Sequence, residues 1–331
     1  MNSPDRRRLQ EQTMTDATLL ADAAAGSESA FRALVEPHRR ALEIHCYRML
    51  GSPHDAEEVV NDVLLRAWRH ADRFDGRAAV RTWLYRIATN ACLDELRRRK
   101  RQPDTLPQPY PDVLADQAAE PIFDPAARYA RREGLELAFL AAIQQLPGRQ
   151  RAVLILRDVL GWSAPEIAET LETSAVAVNS ALQRARATID ATLPATTPSR
   201  PAQAQERALI DRYVQAWERD DVDGIVALLK EDAFLHMPPG PDVHGHDGAR
   251  TFFLARRADG TIAQATLAPM RANGQEAILM RRGATPYKVL VLTIDDDAIA
   301  RIDVFSNAST LERFDRAQKR LRTLSETPPR R

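Results

Sequence analysis

Apolar positions recur at helical spacing through the first half of the chain and in strand-like runs through the last third. Phe31, Leu34, Val35, Leu42, Cys46 and Leu50 form one stripe, closed by Gly51 and Pro53. Val59, Val63 and Ala67, with Val60, Leu64 and Trp68, repeat at i and i+4 and predict a second helix that Ser52 or Asp55 would cap. Its polar face carries Glu57, Glu58, Asn61, Asp62 and Arg66. A third helix is expected over 80–101, with Trp83, Leu84, Ile87, Ala88, Ala91 and Leu93 apolar and Arg97, Arg98, Arg99, Lys100 and Arg101 at its end. Basic residues there suit the helix dipole and equally suit phosphate contact, and the spacing leaves both open.

Three more helices follow in quick succession. The first, over 149–159, has Val153, Leu154, Leu156 and Val159 and stops at Gly161. Ser163 opens the second, with Ile167, Ala168 and Leu171, and Thr173 or Ser174 caps the third, with Val176, Val178, Leu182, Ala185 and Ile189 inward. The last two read as a helix-turn-helix or as an ordinary helical hairpin. Further on, Leu209, Tyr213, Ala216 and Trp217 mark an amphipathic helix, and Ile225, Leu228 and Leu229 a second. Strand-like runs at 233–237, 262–267, 276–280, 287–294 and 299–305 predict a series of antiparallel strands, hence an α+β domain after the helical ones.

At 331 residues the chain has room for two or three domains. No apolar run approaches the ~18 to 20 residues of a membrane span, so no membrane anchor is expected. Cys46 and Cys92 read as reduced core thiols, and the apolar stretch over 19–25 is broken by Asp22 and too short for a signal peptide, so the expected location is the cytoplasm. Met14 offers an alternative start to Met1, and Arg6, Arg7 and Arg8 receive no function.

The formal net charge is zero, with 46 basic and 46 acidic residues, but it is unevenly spread. Residues 1–101 hold 18 basic and 15 acidic side chains, whereas 102–127 hold no basic residue and five acidic ones: Asp104, Asp112, Asp116, Glu120 and Asp124. Pro103, Pro107, Pro109, Pro111, Pro121 and Pro125 deny that stretch a continuous helix, so it is an acidic linker. Pro194, Pro198 and Pro201 mark a second linker over 195–205.

The runs AFRALVEPHRRALEIHCYRMLGSPHDAEEVVNDVLLRAWRHADRF, RTWLYRIATNACLDELRRRKR and LPGRQRAVLILRDVLGWSAPEIAETLETSAVAVNSALQRARATI resemble regions 2 and 4 of the extracytoplasmic-function sigma factors, in order and spacing. The resemblance implies a multidomain fold: an all-α region 2 over 26–101, the linker over 102–127, an all-α helix-turn-helix region 4 over 128–194, and an appended α+β domain. It implies core RNA polymerase and promoter DNA as partners, with no enzymatic turnover and no metal or cofactor. On the polar face of the second helix, Glu58, Asn61, Asp62 and Arg66 are the expected polymerase contacts. Trp83, Arg86, Asn90 and Arg97 are candidates for reading the −10 element, since single-stranded bases need stacking faces and polar edges; Trp83 fits a core role as well. Phe74, Trp83 and Tyr85 are the few aromatic residues expected near the melted strand. In the recognition helix, Val176, Asn179, Ser180 and Gln183 are placed to reach base edges of the −35 element, and Arg184 and Arg186 to hold phosphates.

Two such elements lie ~55 to 70 Å apart, whereas a 26-residue coil relaxes to roughly 25 to 30 Å and extends to about 85 Å. The linker is therefore expected to be stretched along a partner surface, and having no basic residue it suits a channel built for nucleic acid; a solvated tether is the alternative.

The final third departs from the usual family pattern. ERALIDRYVQAWERDDVDGIVALLKEDAFLHMPP and HGHDGARTFF resemble the SnoaL-like domain, a cone-shaped sheet wrapped by helices, here over 206–322. The resemblance leaves three roles open: catalysis by Asp211, His236, His244, His246 or Asp247; an unidentified small ligand in a pocket lined by Tyr213, Trp217, Met237 and Phe252; or an interaction module. Fusion to a sigma factor implies the last, regulation in cis. His244 and His246 lack a third ligand, so no metal site is expected.

Overall fold

The computed structural model describes residues 18–74, 79–98, 107–115, 137–192 and 203–326. They fall into two compact units: Met1–Pro107 with Gln117–Leu193, which is helical, and Gln108–Asp116 with Pro194–Arg331, which contains the sheet. Arg99, Lys100, Arg101 and most of the acidic linker lie outside the described residues.

In the helical unit, α1 (Glu28–Leu50) starts at Ser27, whose hydroxyl accepts the Ala30 N–H, and ends at Gly51 with φ 74°. Of the two candidate caps for α2 (Pro53–Arg69), Ser52 is the one used, its Oγ accepting from Asp55 N at 3.4 Å. With α3 (Val80–Arg98), these helices bury Leu42, Cys46, Met49, Val60, Val63, Leu84, Ala88 and Cys92, so both thiols are core groups.

The second half of the unit consists of α4 (Leu137–Gln144), α5 (Gly148–Leu154) running into a π-helical turn at Ile155–Val159, α6 (Ala164–Thr170) and α7 (Ala175–Thr192). Ser163 and Glu166 form a reciprocal capping box at the start of α6, with Ser163 N donating to Glu166 Oε2 at 2.7 Å. Ser174, not Thr173, supplies the cap of α7, its Oγ accepting from Ala177 N at 3.1 Å.

Arg151 staples the two halves together. Its guanidinium is buried and donates to the carbonyls of Met49, Gln144 and Leu146 and to Gln144 Oε1. Close packing is required here: a Cβ on Gly148 would sit 3.2 Å from Leu93 Cδ2, and one on Gly51 would sit 3.0 Å from Gln144 Cδ.

The sheet unit opens with α8 (Gln203–Glu218) and α9 (Val222–Ala227). Next come β1 (Leu229–His236), β2 (Val243–His244), α10 (Gly245–Ala258) and the single turn α11 (Thr261–Gln264). The unit closes with β3 (Ala265–Ala272), β4 (Gln275–Arg282), β5 (Thr285–Asp295), β6 (Ala298–Phe305) and α12 (Ala308–Glu326). The strand order is β2-β1-β6-β5-β4-β3. The sheet is mixed, since β1 runs parallel to β6, which corrects the expectation of antiparallel strands throughout. Local alternation marks a strand but carries nothing about its distant partner.

Other boundaries shift for local reasons. The expected strand over 262–267 begins as helix α11, and Leu229 opens β1 instead of continuing the helix before it. Helices α10 and α12 were not anticipated. α12 buries Phe314 and Ala317 but is otherwise mostly polar, a pattern too sparse to stand out.

Two outcomes follow for stability. Replacing Arg151 by Ala should cost the helical unit about 3 kcal/mol, because several buried carbonyls lose their donor; urea unfolding with CD detection measures it. His45 is fully buried, with Nε2 2.9 Å from Thr89 Oγ1. Because the Thr89 hydroxyl donates to Tyr85 O at 2.7 Å, His45 must donate through Nε2. Burial, then Arg48, lowers its pKa from 6.5 to about 3. Its contribution is therefore complete above pH 6.5 and declines as pH falls toward 3, by roughly 1.4 kcal/mol per pH unit. The urea midpoint should drop between pH 7 and 5, and His45→Gln should flatten that drop.

Candidate nucleic-acid interface and the appended pocket

The polar face of α2 is partly committed within the unit. Asn61 Oδ1 accepts from Arg39 Nη2 at 2.7 Å, and Arg66 lies 2.7 Å from Asp62 and 3.7 Å from Asp94 on α3. Glu58 is exposed, with His54 3.5 Å away.

On α3, the candidate −10 residues differ in availability. Trp83 is half-buried, its ring 5.1 Å from that of Phe74, so one face packs while the rest stays open. Tyr85 does not belong with the available aromatics: it is buried, its hydroxyl donates to Ala41 O, and its ring meets His45 and Trp162. Asn90 is half-buried, and Arg97 is exposed beside Asp94. Arg86 lies 3.8 Å from both Glu169 and Glu172, on α6 and the turn after it, so a candidate base-reading group faces carboxylates of the helix-turn-helix.

Helix α7 buries Val178, Leu182, Ala185 and Ile189 and turns its other side outward. The apolar stripe put Val176 inward while the family resemblance put it toward base edges; in the first turn of α7 it is 76% exposed, so the stripe does not extend to it. Asn179, Gln183 and Arg184 are exposed too, and Ser180 is half-buried. An apolar group beside amides is the combination that reads a thymine methyl next to polar base edges. Arg186 forms a two-point contact with Asp158, at 3.0 and 2.6 Å, so its guanidinium braces α7 against the π-helical turn that follows α5.

The sheet unit contains a feature that sequence reasoning missed: part of the acidic linker is built into it. Asn273 N donates to Tyr110 O at 3.0 Å while Asn273 Oδ1 accepts from Tyr110 N at 2.8 Å. Gly274 N donates to Asp112 Oδ1 at 2.9 Å, and Pro111 bridges to Ala272. Arg271 gathers Asp112 at 3.6 Å, Glu206 at 3.4 Å and the buried Glu276, whose carboxyl pKa is pushed up by that burial. Tyr110 is itself buried beneath the Arg313 guanidinium. Asn273 (φ 55°) and Gly274 (φ 78°) form the β3–β4 turn. The Asn-Gly pair was the available signal: it marks a hairpin tip, although nothing in it indicates that the tip holds another segment.

The four pocket residues singled out from sequence all face one pocket in this unit. Tyr213 and Trp217 on α8, Phe252 on α10 and Met237 after β1 line it, with Leu235, Met280, Leu290 and Ile302 from the sheet. Trp217 Nε1 donates to Ile262 O at 3.2 Å, which fixes the indole. None of the titratable candidates lines the pocket. Asp211 lies 3.7 Å from Arg207, His236 Nδ1 lies 2.7 Å from Asp242, and His246 Nε2 lies 2.9 Å from Leu229 O. Among the described residues no group of His, Cys, Asp and Glu is placed to hold a metal ion, and no helix is long and apolar enough to cross a membrane.

Comparison with known proteins assigns each part. Residues 34–102 match Sigma-70 region 2, 136–189 match Sigma-70 region 4 and 210–302 match the SnoaL-like domain. The ECF RNA polymerase sigma factor SigG of Mycobacterium tuberculosis is 38% identical over 314 residues, covering 86% of this chain and 83% of its own. SigM of the same organism is 36% identical over 173 residues, or 52% of this chain and 82% of its own. Among solved structures, the extracytoplasmic-function sigma factor SigJ of M. tuberculosis superposes with a TM-score of 0.57 at 22% identity, covering 87% of this chain and 99% of that one, which supports the fold. With Sigma-70 regions 2 and 4 and a SnoaL-like domain along this chain, and a 38% identical sigma factor aligned over most of it, this protein belongs to the extracytoplasmic-function family of RNA polymerase sigma factors.

Proposed function

We propose that this sigma factor, which binds core RNA polymerase and directs promoter-specific initiation, is restrained in cis by its SnoaL-like domain through the linker. The observation that carries the reading is the docking of Tyr110, Pro111 and Asp112 on the β3–β4 turn. A linker that must stretch between regions 2 and 4 along the polymerase cannot also pair with Asn273. The packing within the helical unit supports the same reading. Arg151 holds the two promoter-reading halves together and Arg86 faces Glu169 and Glu172, whereas promoter elements two helical turns apart require those halves to separate.

The polymerase contact is assigned to Glu58, Asn61, Asp62 and Arg66. The −10 contact is assigned to Trp83, Arg86, Asn90 and Arg97, with Trp83 stacking by its open face. In region 4, Val176, Asn179, Ser180 and Gln183 read bases, and Arg184 holds phosphate. Arg186 reaches a phosphate only by leaving Asp158.

Two experiments test these assignments. Tyr110→Ala with Asp112→Ala removes the buried ring under Arg313 and the carboxylate that Gly274 N and Arg271 hold, while the two main-chain bonds to Asn273 remain possible; losing about 1 kcal/mol or more of docking should raise run-off transcription with core polymerase roughly 5-fold or more over the unaltered full chain. Unchanged output would remove the linker from regulation. On a panel of −35 variants, Asn179→Ala or Gln183→Ala should change the order of promoter preference by ~1 to 3 kcal/mol at the contacted base, while Arg184→Ala should weaken all promoters alike and reduce the salt slope by about 0.9. Uniform loss from all three substitutions would defeat the distinction.

A further inference from the structure

We propose that the pocket of the SnoaL-like domain binds a hydrophobic carboxylic acid, its apolar body against Trp217 and Phe252 and its carboxylate at the lip beside Arg256 and Lys288. The inference goes beyond the role of the linker and does not depend on it.

The pocket is open to solvent, and about 400 Å³ of space lies within it and its mouth together. Its depth is apolar, and the polar groups stand apart at two places. At the lip, Arg256 and Lys288 are both lining residues, and Arg282 approaches from the same side, stacked on Tyr287 at 4.6 Å. The acidic partner there is Asp259, which is already shared: it sits 3.0 Å from Arg256 and accepts the Thr261 N–H at 2.9 Å. Three cations thus face one carboxylate at the edge of an apolar cavity, and Arg256 Nε is buried without a hydrogen-bond partner. Lys288 is half-buried; its burial, then the guanidiniums of Arg256 and Arg282, hold its ammonium below the ordinary lysine range, with Asp259 opposing them. An added carboxylate would supply the missing negative charge.

The second polar group is the Tyr213 hydroxyl. It is fully buried, has no hydrogen-bond partner, and its residue lines the pocket. A buried hydroxyl without an acceptor is costly, which marks this wall as polar and unsatisfied. No carboxylate or imidazole lines the pocket to act as a base, so the arrangement suits binding over turnover.

Calorimetric titration of the full chain with 2-naphthoate, decanoate and the neutral 2-naphthalenemethanol tests the proposal. The expected result is saturable binding of 2-naphthoate at one per chain, at least 10-fold tighter than 2-naphthalenemethanol. Lys288→Met and Arg256→Met, each checked for folding by CD, should weaken 2-naphthoate about 5-fold or more and leave the neutral compound unchanged. Equal affinity for the charged and neutral naphthalenes, or no binding of either acid, would overturn the proposal. The readout is binding alone, so its failure is distinguishable from a failure of the linker to regulate transcription.

Discussion

The pairing of Tyr110 with Asn273 sets the terms for the rest of the molecule. It satisfies both main-chain polar groups of a buried linker residue through one asparagine, using the Asn273 backbone N–H and its side-chain oxygen. Such groups need partners when water is excluded, so the contact is specific and not a chance adherence of a polar strand. The acidic character of the linker is used locally as well: Asp112 accepts from Gly274 N and completes the charge group around Arg271, where Glu206 and Glu276 already converge. Part of the linker's negative charge thus has a partner inside the chain.

The helical unit shows the same economy. Arg86, a residue whose chemistry suits base reading, faces carboxylates in the free protein, and Arg186 is held by Asp158. These exposed ion pairs are individually weak and screened by salt, so they can exchange for phosphate or base contacts without a large barrier. The buried Arg151 is different, because its removal from several carbonyls leaves them unsatisfied; it is the stronger tie between the two halves. Weak surface pairs over one buried anchor give a unit that is well defined alone while its outer arginines stay exchangeable.

The SnoaL-like domain joins a linker site and a pocket through shared elements. Helix α8 carries Glu206 at the linker end and Tyr213 and Trp217 in the pocket wall, and β4 carries Glu276 at one end and Met280 at the other. The two sites therefore share α8 and β4 as supports.

Much of this architecture could be read from residues in order. The stripes on α1 and α2, the Ser163 opening, the Gly161 stop and the outward Asn179 and Gln183 follow from periodicity and capping, because a helix exposes its pattern within a few turns. The pocket residues Tyr213 and Trp217 were legible for the same reason, being one turn apart on one apolar face. What sequence could not give was pairing between distant segments. The stripe alone put Val176 inward, against its family position, and the first turn of α7 leaves it exposed; Tyr85 passed for an available aromatic, yet its hydroxyl is held by Ala41 O on α1. The parallel β1–β6 pairing, the carboxylates facing Arg86 and the docking of Tyr110 on the Asn273 turn all join residues far apart in the chain. Local propensity fixes an element, but which surfaces meet is decided by burying apolar area and satisfying polar groups across the whole fold, and only the tertiary structure expresses that balance.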